Sequence, residues 1–389
     1  MLAERLDRLV EIEPQPFPVL SLYLDTTPNE TGHRTMQVYL KRALADRLQT
    51  FPHGSDERKS FSADAERVLA YVTSDELRPE YKTVAIFACT EAGLFETVPL
   101  EVRLDRHLVV VSDRPHLYPL ALLDEQYPRY AAVLADTNRS RIFVFSTGRR
   151  EQTIDVVGQK TKRVKVGGWS QARYQRHAEN FHLHHAKEVV EALATVVRED
   201  QIDHVILAGD EAAVPLIEKE LPKYLAEKIV DVMRLDVRAP DDEVLRETLA
   251  VLREKDAETD QAVVSHLLDE YRGGGLAITG AAETLSALER GQVDTLVLAA
   301  SPEAIASADV ALGVAPTATH SGSIAEGLDA VDEAAERPAE SLPEAAIANQ
   351  AATELVRRAR LTSASIRFIE DAALLHDIGG VGAFLRFRV

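Results

Sequence analysis

Apolar and polar positions recur along this chain with two periods, near two and near three and a half, and the first alternation falls at Val19-Leu-Ser-Leu-Tyr-Leu-Asp25. Lys82-Thr-Val-Ala-Ile-Phe-Ala88, Leu94 to Pro99 and His107 to Val111 carry further strand signals. Met36 to Leu48 and Ala63 to Val72 have helical spacing instead. A mixed sheet with helices packed on it is expected over residues 1–128, and Tyr118 to Tyr127, with Pro119 and Pro128, reads as the crossing into a new unit.

The second unit, 129–272, opens with Tyr130-Ala-Ala-Val-Leu-Ala135 and Arg141-Ile-Phe-Val-Phe145 around Asp136-Thr-Asn-Arg-Ser140, turn chemistry that predicts a hairpin. From Tyr174 the positions Tyr174, Ala178, Phe181, His185, Val189, Leu193 and Val196 repeat every three or four residues, as one face of a helix does. About 25 residues at about 1.5 Å each make that helix nearly 40 Å long. A strand at His204–Gly209, a helix over Ala212–Leu225, a strand at Ile229–Met233 and a helix from Asp241 to Tyr271 complete an α/β layered domain, stopped by Gly273-Gly-Gly275.

The third unit, 273–389, holds a helix closed by Gly291, an apolar strand at Thr295–Ala300, a helix at Ala352–Arg360, a strand at Ser365–Ile369, a short helix at Ala372–His376 and a glycine turn from Gly379 into a terminal strand. Residues 316–344 are rich in Ala, Ser, Pro and acids without clean periodicity, which reads as a mobile or partly helical acidic insertion. The fold class expected is α/β in three domains: a mixed-sheet N-terminal domain, a central α/β domain with the long helix, and a C-terminal α/β sandwich.

At 389 residues and 46% hydrophobic content the chain can bury several cores. Cys89 is the single cysteine, so an internal disulfide is excluded and a reducing compartment fits. The N-terminus lacks the apolar core of a signal peptide, and no uninterrupted apolar run approaches about 18 residues. A cytoplasmic protein without a membrane partner is expected. The formal charge of −19 argues against indiscriminate coating of nucleic acid, so any contact with RNA must be local.

Locality is what residues 160–176 provide. Lys160, Lys162, Arg163, Lys165, Arg173 and Arg176 fall there without one acid, and subtracting that +6 from −19 leaves −25 elsewhere. Gly167 and Gly168 let a backbone approach another molecule closely. Ser170 is placed to cap the long helix, whose first turn then presents free N–H groups, and Arg173 and Arg176 lie three apart on one face. Such a stretch fits a phosphate-gripping loop, and it also fits a solvated surface turn. Trp169 can stack on a base or anchor the loop in a core. His177, His182, His184 and His185 lack the i, i+4 pairing of a helical zinc site, so no metal is expected. Asp210, at the end of the His204–Gly209 strand, reads as a loop acid, and no phosphate-cradling nucleotide motif appears, so no cofactor is expected.

Gly167-Gly-Trp-Ser-Gln-Ala-Arg-Tyr174 resembles the Gly-Gly-Gln-Ser-x-x-Arg-Phe signature of archaeo-eukaryotic class 1 peptide release factors and Pelota-related proteins. The hairpin from Tyr130 to Phe145 and Val205 to Gly209 resemble that family's central domain. The run Gly280 to Leu296 resembles the opening of its third domain, and Gly379-Gly-Val-Gly-Ala-Phe-Leu-Arg386 resembles its closing strand. No counterpart of the stop-codon-reading Asn-Ile-Lys-Ser motif is found in the divergent N-terminal domain. The chain thus resembles a bacterial archaeo-eukaryotic release factor-like protein.

That resemblance implies a ribosome-associated translation factor binding the vacant aminoacyl site in rescue, hibernation or quality control, without stop-codon decoding. It implies the ribosome, ribosomal RNA and tRNA as partners, and leaves a delivering translation factor open. RNA contact would fall to Lys160, Lys162, Arg163, Lys165, Trp169, Arg173 and Arg176. Gly167, Gly168 and Gln171 are the candidates for peptidyl-tRNA ester hydrolysis. Trp169 stands where the family has its glutamine, and an indole that donates one hydrogen bond and accepts none cannot orient an attacking water as an amide does. Three readings follow: occupancy without release, hydrolysis using Gln171, and, from another class, a metal-dependent hydrolase on the histidine-rich helix. A scaffold recruiting a basic partner through the acidic insertion is a further possibility.

Overall fold

Apolar runs of Val, Leu, Ile and aromatic residues build the first sheet, in a computed structural model that describes residues 2–28, 36–78, 81–104, 106–157, 171–305, 318–323 and 342–388. Side chains of 171–179, 318–323 and 342–349 lie outside the description. The first part of the chain forms α1 (Leu2–Val10), β1 (Val19–Asp25), α2 (Met36–Thr50), α3 (Asp56–Thr73), β2 (Thr83–Cys89), β3 (Leu94–Leu100), β4 (Arg106–Ser112) and α4 (Tyr118–Gln126). The expected crossing at 118–127 is therefore a helix. Pro119 sits in its first turn, where the absent N–H costs no intrahelical bond.

The middle part forms β5 (Tyr130–Ala135), β6 (Arg139–Ser146), β7 (Arg149–Val157), α5 (Gln171–Glu199), β8 (His204–Gly209), α6 (Val214–Glu220), α7 (Lys223–Ala226), β9 (Ile229–Met233) and α8 (Asp241–Arg272). The expected hairpin is extended by a third strand, β7, through a two-residue turn in which Thr147 and Gly148 both have positive φ. The expected helix over 212–225 is two pieces, because Pro222 has no N–H with which to continue α6. The last part forms β10 (Ala277–Thr279), α9 (Ala281–Glu289), β11 (Val293–Ala299), β12 (Ala318–Ser323), α10 (Leu342–Leu361), β13 (Ser365–Ile369) and β14 (Val381–Leu385).

These elements make three sheets, ordered β12-β4-β1-β2-β3, β7-β6-β5-β8-β9 and β10-β14-β11-β13. The first is antiparallel throughout, with Leu22 opposite Ile86 on one side and Val109 on the other. In the second, β5, β8 and β9 run parallel while β6 and β7 are antiparallel additions. β12, inside the expected insertion, adds to the free edge of β4. The chain divides into two compact units, one comprising Met1–Glu125 with Thr259–Val389 and the other Gln126–Glu258.

In the first unit, β1 and β2 are buried at every position, so both faces of their sheet are covered. Leu20, Leu22, Leu24, Ile86 and Val109 pack on one face against Met36, Leu40, Phe61 and Val68 of α2 and α3. On the other face Tyr23 donates its hydroxyl to His116 O at 2.7 Å and meets Phe87 edge-on. His116 donates its own amide to Ser21 Oγ at 3.0 Å, and its Nδ1 lies 2.5 Å from Thr353 Oγ1 on α10. Arg367 on β13 holds Asp260 Oδ1 at 2.8 Å and stands 3.8 Å from Glu125 Oε1, so one guanidinium reaches both points where the chain leaves and re-enters this unit.

Burial pushes the His116 imidazole down from 6.5 to about 4, because charging it there forfeits hydration. In the unfolded chain the ring takes a proton below about 6.5, while in the folded chain it stays neutral down to about 4. Its contribution to stability is thus full above pH 6.5 and is lost as the pH falls toward 4. Urea unfolding should show a loss of about 2 kcal/mol between pH 7.5 and 5 attributable to this site. His116→Gln should flatten that part of the pH profile, and an unchanged slope in the variant would contradict the assignment.

Candidate functional site

The central sheet sets the geometry of the candidate region because its parallel strands end together. Ala131, Val133, Ile142, Val144, Val205 and Leu207 form one apolar face, and α5 covers it with Ala186, Val189, Leu193, Val196 and Val197. On the opposite face Tyr130, Phe143, Phe145 and Ile206 pack against Val244 and Leu252 of α8. The apolar stripe expected on α5 is borne out from His185 onward. Among the helix's described side chains burial begins at His185, about 21 Å along the axis from Gln171.

The expected glycine-hinged basic loop lies between the end of β7 at Val157 and the start of α5 at Gln171. Lys160, Lys162, Arg163, Lys165, Gly167, Gly168, Trp169 and Ser170 lie outside the described residues. Gln171, Arg173 and Arg176 occupy the first two turns of α5, and their side chains, like that of His177, are also outside the description.

Two arginine clusters brace the central sheet. Arg129, just before β5, binds Glu151 of β7 at 2.8 Å and Asp200, after α5, at 2.8 Å. Arg141 of β6 donates to Val237 O at 3.3 Å and Ala239 O at 2.8 Å, pairs with Asp241, and stacks 4.5 Å over Phe143. Arg150 of β7 shares Asp241. Planar guanidinium groups that satisfy several acceptors at once hold such junctions in one geometry. These arginines each have structural partners within the central unit.

His185 is buried and places Nε2 3.1 Å from Ser140 Oγ beneath the hairpin, while its Nδ1 is 3.8 Å from Glu188. His184 lies on the exposed side, 3.5 Å from the same glutamate. Among the described residues no group of three or more His, Cys, Asp or Glu is arranged to hold a metal ion.

A cavity of about 620 Å³ opens at the carboxyl ends of β5, β8 and β9. The sequence reading treats Asp210 as a lone loop acid, but the structure brings Asp136, Glu211 and Asp236 to the same cavity, together with Arg234 and Arg238. Those residues follow separate strands, and only their shared position after apolar runs marks them in the sequence. Asp136 Oδ1 accepts the amides of Asn138 and Arg139, each at 2.7 Å. Asp210 Oδ1 accepts those of Ala212 and Ala213 at 3.0 and 2.7 Å, and Asp236 Oδ1 that of Arg238 at 2.8 Å. Glu211 pairs with Arg234. The aspartates thus organise turns at the sheet's end.

Residues 115–253 match the family model described as bacterial archaeo-eukaryotic release factor family 10. Over its full length the chain is 26% identical to the proteins MT2704 and Rv2629 of Mycobacterium tuberculosis, strains CDC 1551 / Oshkosh and ATCC 25618 / H37Rv, covering 97% of each. Among solved structures it is similar to the archaeal translation termination factor aRF1, at 15% identity and a TM-score of 0.25 over 99% of this chain and 97% of that one. It is also similar to Dom34 of S. cerevisiae, at 11% identity and a TM-score of 0.43 over 79% of each chain. An archaeal Pelota described as ribosome-bound with ABCE1 gives 13% identity and a TM-score of 0.41 over 100% of this chain and 95% of that one. No helix among the described residues is long and apolar enough to cross a membrane.

Gly209 pairs with Ala135 where β8 and β5 end. Its φ is +153°, and a Cβ there would sit 2.0 Å from Ala135 O, the acceptor of the Asp210 amide. Gly209→Ala should therefore force the two strand ends apart and lower stability by at least about 3 kcal/mol. Gly93→Ala, at φ +66° with nothing within 4 Å, should cost only about 1 kcal/mol. Equal urea midpoints for the two variants would show that the close approach is not a constraint.

Proposed function

We propose, from a chain that is release-factor-like through residues 115–253, that this protein is a ribosome-associated translation factor entering the vacant aminoacyl site in rescue, hibernation or quality control. The family match carries the reading, because it spans the hairpin, the basic loop and the start of α8 in one continuous stretch. An archaeal Pelota described as ribosome-bound supports the same class of partner. Lys160, Lys162, Arg163, Lys165, Arg173 and Arg176 contact ribosomal RNA or the tRNA end in this reading, with Gly167 and Gly168 allowing close approach. The segments 1–128, 129–272 and 273–389 act as its three proposed domains, and stop-codon decoding is not part of it.

Trp169 decides between occupancy and hydrolysis. An indole has no acceptor with which to orient water, so the factor holds the site without cleaving the peptidyl-tRNA ester. Gln171 is the residue through which the opposite outcome would act.

Cosedimentation with ribosomes should fall as salt rises from about 50 to about 200 mM, as expected when Lys and Arg displace counterions from phosphates. Arg173→Glu/Arg176→Glu should weaken it at least about tenfold at the lower salt. In a reconstituted assay, nascent-chain release should stay at background while binding saturates. Ribosome binding indifferent to both salt and the double charge reversal would sink the proposal. Release abolished by Gln171→Ala would replace the silent factor with a hydrolase.

A further inference from the structure

The three chain ends gathered at one corner of the β10-β14-β11-β13 sheet present a surface that the reading above does not use. Leu276 leads into β10, Gln292 precedes β11, and Arg386-Phe-Arg388 follows β14. Arg386 donates its amide to Gln292 O at 2.7 Å and its guanidinium to Ser363 O at 2.8 Å. Gln292 Nε2 donates to Phe387 O at 3.3 Å. Arg388 donates to Gly274 O at 2.6 Å and Ala277 O at 3.3 Å, which fastens the tail beside the turn that follows Tyr271-Arg272. The tail is thus a held segment at the end of the sheet.

Aromatic and apolar groups stay in water at this corner. Phe387 is 48% exposed, Tyr271 44% and Leu276 42%. Cations are interleaved with them. Among the described residues Arg272 makes no hydrogen bond or ion pair, while Arg290 bonds only Gln292 Oε1 and Arg388 only carbonyls. Arg386 lies 3.7 Å from Asp294. Of the neighbouring carboxylates, Glu270 accepts the Leu276 amide at 3.0 Å, Asp294 faces Arg386, and Glu289 lies 3.7 Å from Arg358. In a chain of charge −19, three guanidinium groups without a carboxylate partner among the described residues, around two exposed rings, form a surface complementary to a polyanion with flat faces.

We propose that this corner binds single-stranded RNA, with bases stacking on Phe387 and Tyr271 and phosphates meeting Arg272, Arg290 and Arg388. An acidic protein segment would satisfy the arginines but leave the rings without a planar partner, which favours RNA. The surface is separate from residues 160–176, and its fate does not decide theirs.

The test is fluorescence anisotropy of the full-length protein with a labelled single-stranded RNA of about 12 nucleotides, in both the native and Arg173→Glu/Arg176→Glu backgrounds. Phe387→Ala should weaken binding about five- to tenfold with the salt dependence unchanged. Arg272→Glu, at a side chain with no internal partner, should weaken it and reduce the log–log salt slope by roughly 0.7. Both effects should persist in the double-variant background, with thermal unfolding unaltered. Affinity within about twofold of native for both substitutions would overturn the proposal. So would equal competition by polyglutamate of matching length, which would assign the corner to an acidic protein partner.

Discussion

The sheet containing β1 and β2 must bury two faces, and α2 and α3 pack on one of them. Behind Tyr23 of the second face His116 is met from the far end of the chain, where α10 brings Thr353 to it and Glu354 to Arg114 at 2.8 Å. Arg360 adds a contact with Asp124, and Arg106 reaches Glu303 at 2.9 Å. Loop-closure entropy does not forbid this. Each doubling of a loop costs only about 0.6 kcal/mol, whereas one large buried side chain such as Phe87 contributes about 1.5–3 kcal/mol. Covering the sheet therefore outweighs the separation in sequence, and the unit that results combines both ends of the chain.

Periodicity made much of the fold legible. The strands at 19–25, 204–209, 229–233 and 365–369 have the ends that alternation and apolar runs predict, because burial on a pleated surface writes itself into those residues. The helix at 118–126 was hidden by prolines that read as breaks, though Pro119 falls where a helix tolerates one. β7 was hidden because its first five residues, Arg149-Arg-Glu-Gln-Thr153, are polar and exposed, which leaves only Ile154 and Val156 as an apolar signature. Pairing partners are a different matter. No local pattern states that a strand at 318–323 will add to β4, or that a threonine at 353 will meet a histidine at 116.

The candidate site divides in the same way. Charge and glycine spacing mark residues 160–176 in the sequence, because a local excess of cations in an acidic chain needs no fold to be seen. The cavity at the ends of β5, β8 and β9 was invisible because Asp136, Asp210 and Asp236 are brought together by strand order alone. What the described residues add is the bracing of the central sheet. Arg129 and Arg141 tie β5, β6 and β7 to the end of α5 and the start of α8.

Arg367 carries a consequence for how this architecture can change. Glu125 and Asp260 stand on either side of the segment Gln126–Glu258 that composes the other unit, yet both carboxylates lie within reach of a single side chain. Two chain crossings that close together form a docking port for an inserted gene segment. The first unit retains its sheets, its core and the Tyr23–His116–Thr353 contact on its own side of that port. A change of length or chemistry within the central segment then leaves the contacts that close the host's core in place.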